Sequence, residues 1–355
     1  MKQIKQFFIR PYIYLIFVII GTSLKFSHLG DRYFWLDEIA TIAHTTGLTV
    51  SEFSDLIPLN EITNIQTYQS EMHLNKQDYR IDKQITGLFS TTNLTPLHYV
   101  FLMFWYRIVG DDFAVYRLFS VFIFILTLPL LFILVKKLFK TNLSGWIAVS
   151  LFSVSPFFHL YAQEARYYIL WAFFLILFHL LFLQVITYNK LRWWITYTIT
   201  GILVLYISVF SGIALLGHII YIWILHKEHR KIHMINIVLI LLFYTPWIHS
   251  MVINRKEIFT VMSWQTRIPK VSLWDPIIGQ LNVFIRTFVN LNLNPLSELI
   301  AGNQSFSILF GLGLDICVLG LIITAIIHSE IHQKRFGCFL YKWLFPQFCS
   351  STFWI

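Results

Sequence analysis

Long apolar runs separated by short basic clusters set the pattern of this chain. Apolar residues fill roughly 11–26, 97–109, 118–135, 143–160, 167–187, 193–208, 212–225, 234–252 and 306–327. Between them sit Lys2, Lys5 and Arg10, then Lys136, Lys137 and Lys140, then Lys190 and Arg192, then Lys227, Arg230 and Lys231, then Lys334 and Arg335. Basic clusters flanking apolar segments stay in the cytoplasm. If all five clusters are cytoplasmic, each interval between them holds an even number of crossings.

Three apolar runs lie between the first two clusters, so one of them does not cross. The run 97–109 has 13 residues, about 20 Å as a helix against a hydrocarbon core of roughly 30 Å. It also carries His98, Trp105, Tyr106 and Arg107. It reads as an amphipathic helix on the outer surface, with Pro96 at its start. The other runs pair off, giving eight spans with both ends inside. The fold class expected is an all-α polytopic membrane protein, with one membrane domain over residues 1–335. External regions fall at 27–117 and 254–305, and a short aromatic tail follows at 336–355. That tail is expected to stop short of the chain's relatives. Trp146, Trp171, Trp193, Trp194, Trp223 and Trp247 fall near span ends, as an interfacial belt would.

Composition supports this reading. Hydrophobic residues make up 57% of the 355 and charged residues 13%, against roughly 25% charge in soluble domains. The net charge of +9 is spread over the short clusters, with no basic face for nucleic acid. Cys317, Cys338 and Cys349 lie late, without the spacing of a disulfide framework or zinc site. No small-residue cleavage site follows the first run, which therefore reads as an uncleaved span.

The polar chemistry concentrates outside. Phe34-Trp35-Leu36-Asp37-Glu38 opens the first external region with two adjacent acids. Tyr161-Ala162-Gln163-Glu164-Ala165-Arg166-Tyr167-Tyr168 fills the turn between the third and fourth spans, after Ser155-Pro156. Parity puts both motifs on one side at similar depth. Glu164 and Arg166 read either as a structural pair or as part of one cavity with Asp37 and Glu38. In such a cavity a carboxylate serves as general base and an arginine fork holds a phosphate. Arg117 reads as an interface anchor or as a second phosphate ligand. His98 could orient a ligand or simply sit at the interface. His28, His44 and His73 lack ligand spacing, so no metal follows from the sequence. His159 and His179 read as packing or interface residues. His218, His226, His229 and His233 read as a solvated basic loop. Asp315 is the one acid within a predicted span.

The order of these motifs resembles the lipid-dependent glycosyltransferases of the GT-C class, among them bacterial relatives of protein O-mannosyltransferases and of aminoarabinose transferase. Trp35-Leu36-Asp37-Glu38 is similar to their first-loop signature. Thr95-Pro96-Leu97-His98-Tyr99 resembles their His-Pro-Pro-Leu-x-Tyr, with Leu94-Thr95 in place of His-Pro. Phe113-Ala114-Val115-Tyr116-Arg117-Leu118-Phe119-Ser120 resembles Phe-Ala-x-Arg-Leu-x-Ser. Ser155-Pro156-Phe157 with Gln163-Glu164-Ala165-Arg166-Tyr167-Tyr168 resembles Ser-Pro-Phe…Gln-Glu-Ala-Arg-x-Tyr. The family's Thr-His-Tyr-Phe turn is replaced by Tyr206-Ile207-Ser208-Val209-Phe210, without the histidine.

The resemblance implies a GT-C-like bundle with juxtamembrane helices, in the inner membrane with its site outside. It implies inverting transfer of a sugar from a polyprenyl-phosphate donor to an acceptor, with membrane lipid as a further partner. Asp37 would be the base, Glu38 an acceptor-binding helper and Glu164 the second acidic position. Arg166 would hold the donor phosphate, with Arg117, from its position at the start of the second span, as the second candidate. Tyr161, Gln163, Tyr167 and His98 would line the substrate site. No cofactor is required by the sequence, and divalent-metal dependence stays open. A transporter or flippase of a lipid-linked or anionic substrate, and a non-catalytic GT-C-like subunit, are the alternatives.

Overall fold

A computed structural model describes residues 11–31, 34–46, 85–88, 95–110 and 112–256. Within them the chain forms helices α1 (Pro11–Ser23), α2 (Leu36–Thr46), α3 (Leu97–Val109), α4 (Phe113–Phe139), α5 (Asn142–Val154), α6 (Pro156–Ala162), α7 (Tyr168–Tyr188), α8 (Leu191–Ile207), α9 (Ser211–Leu225) and α10 (Arg230–Ile253). Single 3-10 turns follow α1 (Leu24–Phe26) and precede α10 (Lys227–His229). No strand occurs among the described residues.

Local chemistry sets the boundaries. The Asp112 carboxylate accepts the Ala114 N–H and opens α4. Lys140 closes α4, and Asn189 closes α7, both in the left-handed region at φ 59° and 43°. The Thr141 hydroxyl accepts the Ser144 N–H and starts α5. At the α8–α9 turn the Ser211 hydroxyl donates to the Val204 carbonyl and accepts the Trp171 indole N–H.

Three helices are long and apolar enough to cross a membrane: Ala114–Phe139, Tyr168–Tyr188 and Lys227–Ile253. The pair Asn142–Val154 and Pro156–Ala162 makes a fourth if its 63° bend is one broken span. The third expected span is therefore two helices. Pro156 has no N–H to continue the ladder, and Ser155 caps a new helix by accepting the Phe158 N–H. The segments Pro11–Phe26, Leu97–Val109, Leu191–Ile207 and Ser211–Leu225 are apolar but shorter. Length alone thus assigns three or four crossings among the described residues. The crossing expected at 306–327, Asp315, the second external region from 257 on and the tail lie outside them.

The packing is that of an antiparallel bundle. α7 lies between α4 and α8, α8 packs on α9 and α10, and α1 packs on α5, which packs on α4. Large apolar side chains cover the outer faces as well as the core. Ile16, Ile19, Ile213, Ile224, Val238, Leu242 and Phe243 are all exposed. Helices apolar on both faces suit lipid rather than water.

The belt expected from tryptophans is incomplete. Trp194 and Trp247 are buried in the core, whereas Trp223 is exposed. Trp194 turns inward because its indole N–H reaches the Asn189 side chain at 2.9 Å.

Chain direction sorts the charges by end. Lys136, Lys137 and Lys140 end α4, Lys190 and Arg192 lie at the α7–α8 turn, and Lys227, Arg230 and Lys231 lie at the α9–α10 turn. Lys137 approaches the Tyr188 ring at 5.9 Å, which joins two of these clusters in space. Asp37, Glu38, Arg117, Glu164 and Arg166 gather at the other end.

Candidate functional site

Asp37 and Glu38 do not sit in a loop. They occupy the first turn of α2, where carboxylates complement the positive end of the helix. Neighbouring helical positions point about 100° apart, so the two acids face different partners.

Glu38 turns inward to Arg117 on α4. The guanidinium donates from Nε to Oε1 and from Nη2 to Oε2, each at 2.9 Å. Both side chains are at most 2% exposed. Glu38 Oε1 also accepts the Ala165 N–H at 2.9 Å. Arg117 Nη1 donates to the Leu29 carbonyl, and the guanidinium lies 4.0 Å over the Phe34 ring. This buried fork ties α2, α4, Leu29, Phe34 and the α6–α7 turn to one another.

Asp37 turns outward, with 41% of its side chain exposed. Its Oδ2 lies 3.1 Å from Arg166 Nη2. Arg166 Nη1 donates to the Asp37 carbonyl and the Thr41 hydroxyl. Trp35, Tyr167 and Tyr168 surround the guanidinium at 5.7–5.9 Å. Burial opposes the Arg166 charge, but Tyr99, Tyr168 and Asp37 outweigh it and raise its pKa. The arginine therefore stays cationic, and its Nε is buried without a hydrogen-bond partner.

The aromatic residues expected to line the site are here. Tyr161 meets Tyr168 at 4.5 Å between ring centroids, and Tyr168 meets Tyr167 at 4.6 Å. His98 is buried at the start of α3, 6.5 Å from the Tyr167 ring. Burial and then Arg166 push its imidazole down to about 3, partly offset by the Ala165 backbone. Neither ring nitrogen has a well-aligned partner, so the Ala165 contact falls short of a full hydrogen bond. His98 is neutral at ordinary pH.

Other expected ligand residues are engaged internally. Arg117 and Glu38 hold each other. The Gln163 amide donates to the Ser27 carbonyl at 2.7 Å, and to those of Leu24 and Lys25 at 3.4 Å. Glu164 is buried, and its carbonyl accepts the Ser120 hydroxyl at 2.6 Å. These residues shape the α6–α7 turn from within, leaving the Asp37 carboxylate as the charged group that opens to the surface, with Arg166 buried behind it.

Two features escaped the sequence reading. Lys25 is fully buried at the end of the first apolar segment. It donates to the Gly21 and Ser153 carbonyls at 3.0 and 2.7 Å and lies 4.4 Å over the Phe124 ring. Its only sequence signal is one charge at the end of an apolar run.

The second feature corrects the solvated histidine loop. His218, His229 and His233 are buried. His218 stacks on Phe182 with centroids 3.7 Å apart, 2.9 Å from His179 and 3.2 Å from the Tyr197 hydroxyl. Tyr197 in turn lies 3.3 Å from His233. This polar chain joins α7, α9, α8 and α10 inside the bundle, where unpaired imidazoles would be costly. Of the four, His226 alone keeps a partly open place on the turn.

Compared with protein-family models, with curated proteins and with solved structures, the chain matches none.

Proposed function

We propose that the protein is a membrane glycosyltransferase that moves a sugar from a polyprenyl-phosphate donor to an acceptor at the extracytoplasmic face. The observation that carries this reading is the Asp37–Arg166 pair, in which a half-exposed carboxylate meets a largely buried guanidinium ringed by Trp35, Tyr167 and Tyr168, with Tyr161 packed on Tyr168. It adds to the motif resemblance around both residues.

The acceptor hydroxyl or amine gives its proton to the Asp37 carboxylate as its oxygen or nitrogen attacks the anomeric carbon. The bond from that carbon to the donor phosphate breaks from the opposite face, which inverts the centre. The electron pair leaves on the polyprenyl phosphate, and Arg166 balances its charge through the guanidinium. Arg166 is thus shared between base and leaving group, and the donor phosphate competes with Asp37 for it. The release of Asp37 from that ion pair makes it a better base when donor is bound. Glu38, Arg117 and Gln163 act as positioning residues behind the pair, with eight membrane crossings forming the bundle.

The test is transfer by the purified chain with a radiolabelled polyprenyl-phosphate sugar. Asp37→Asn lowers turnover by about a thousandfold or more while donor still binds, in line with loss of a general base and its electrostatic setting. Arg166→Ala raises the donor KM. Near-normal turnover by Asp37→Asn, or an unchanged donor KM in Arg166→Ala, overturns the assignment.

A further inference from the structure

We propose that the turn between α9 and α10 binds one divalent cation of the zinc class through His226, Glu228 and His229. The three residues flank and fill the 3-10 segment Lys227–His229. The segment is closed by the His229 N–H to the His226 carbonyl at 3.0 Å. Glu228 Oε1 lies 3.1 Å from His226 Nδ1 and 3.8 Å from His229 Nε2. One ligand atom from each residue lies within 4.8 Å of the others.

Zinc bonds of about 2.0–2.2 Å in a tetrahedral array put donor atoms roughly 3.3–3.5 Å apart. The three atoms already bracket that spacing, so a small closure of the turn completes the set.

Both imidazoles are held from behind. His226 stacks on Tyr221 with centroids 5.5 Å apart and 28° between planes. His229 meets the edge of Trp194 at 6.2 Å, and Trp194 is anchored to Asn189. The two histidine rings lie 11° from parallel. Parallel rings 5.9 Å apart hold their lone pairs in separate planes, so one imidazole turns about its side-chain bonds before both nitrogens face one ion, a cost that lowers affinity.

Two imidazole nitrogens and one carboxylate suit zinc, cobalt or nickel; calcium and magnesium demand more oxygen. Glu228 is exposed, so the remaining coordination position faces water. Lys227 and Lys231 stand nearby and weaken the attraction. Arg230 is directed away, its Nη2 donating to the Trp223 carbonyl and its guanidinium lying 5.3 Å over the Trp223 ring. Affinity is therefore moderate. The ion would tie the end of α9 to the start of α10, at the opposite end of the bundle from Asp37 and Arg166. The site stands independently of the glycosyltransferase reading.

The test uses tag-free full chain in detergent, stripped with chelator and titrated with zinc chloride by calorimetry. Wild type takes up one equivalent with a dissociation constant on the order of micromolar, and its thermal transition rises. The double variant His226→Ala, His229→Ala binds at least about tenfold more weakly, as expected when ligands are lost. Its transition in chelator lies somewhat below that of wild type, because His229 is buried against Trp194, but zinc no longer raises it. His233→Ala retains binding. Cobalt(II) gives a readout that needs no variant: the wild-type chain yields a low-symmetry visible spectrum that equimolar zinc bleaches. Absence of saturable zinc uptake, undiminished uptake by the double variant, or a cobalt spectrum unchanged by the protein overturns the site.

Discussion

Glu38 and Arg117 are the residues on which the candidate site is built, and removing either leaves the other charged and buried. Loss of one partner of such a pair costs about 3–5 kcal/mol. Glu38→Gln and Arg117→Met should each lower the thermal transition of the purified chain sharply. The double variant should lose less than the sum, because no orphan charge remains. Additive losses in that cycle would show that the two do not act as a unit. Asp37→Asn should lower the transition less, since its carboxylate is half exposed, although the buried Arg166 loses its counter-charge and keeps only the Asp37 carbonyl and the Thr41 hydroxyl as acceptors. Both acids and both arginines were visible in the sequence, and so was their convergence at one end. Which acid meets which arginine was not. That choice depends on the 100° step between residues 37 and 38, and hence on α2 being a helix. The adjacent acids looked like loop residues because the preceding Phe34-Trp35 hides the helix start among aromatics. The backbone contacts of Gln163 were hidden for a related reason. Its partners, the carbonyls of 24–27, carry no sequence signature.

At the scale of elements, the break between α5 and α6 creates a problem that α1 solves. The bend at Ser155 and Pro156 interrupts the ladder and leaves carbonyls at the end of α5 short of donors. Lys25 donates to one of them, on Ser153, and its cation suits the negative end of that helix. Close approach is possible because Gly21 faces Ser153; a methyl there would collide with the Ser153 carbonyl. The Ser150 hydroxyl adds a bond to the Tyr14 carbonyl at the same crossing. Lys25→Met should therefore cost about 1–3 kcal/mol through the unsatisfied carbonyl, and Gly21→Val should separate α1 from α5. Limited proteolysis just after α1 reads both, because residues 24–27 are held by α1 and by Gln163. Protection equal to wild type in both variants would remove the clamp. Ser155-Pro156 is the local sign of the break, although the 143–160 run was read as one span, and the clamp had no sign at all. Lys25 and Ser153 are 128 residues apart, and no local pattern links a charge at one helix end to a carbonyl at another.

Across the described residues, the alternation of apolar runs and basic clusters marked the apolar helices and sorted the charges by end, but it missed α2 and the division of the 143–160 run. It was less able to set the lengths of those helices. α4 spans 27 residues, about 40 Å, whereas α8 and α9 have 17 and 15, about 26 and 22 Å. Members this short reach across a hydrocarbon core of roughly 30 Å only with local thinning or flanking residues that bridge to the interface. The orientation is the consequence with the most at stake, because a base and a phosphate ligand serve an outer-leaflet donor only if the Asp37 end is outside. Single cysteines in a chain whose Cys317, Cys338 and Cys349 are serine give the test. Asp31 and Lys190 are exposed positions at opposite ends of the bundle. A membrane-impermeant maleimide should label Asp31→Cys on sealed cells and Lys190→Cys only after permeabilisation. Labelling of Lys190→Cys alone would turn the site to the cytoplasm and remove the outer-leaflet donor. Equal labelling of both would mean that the helices between them cross the membrane an even number of times. The parity argument, and with it the placing of Asp37 and the basic end on opposite faces, would then fail.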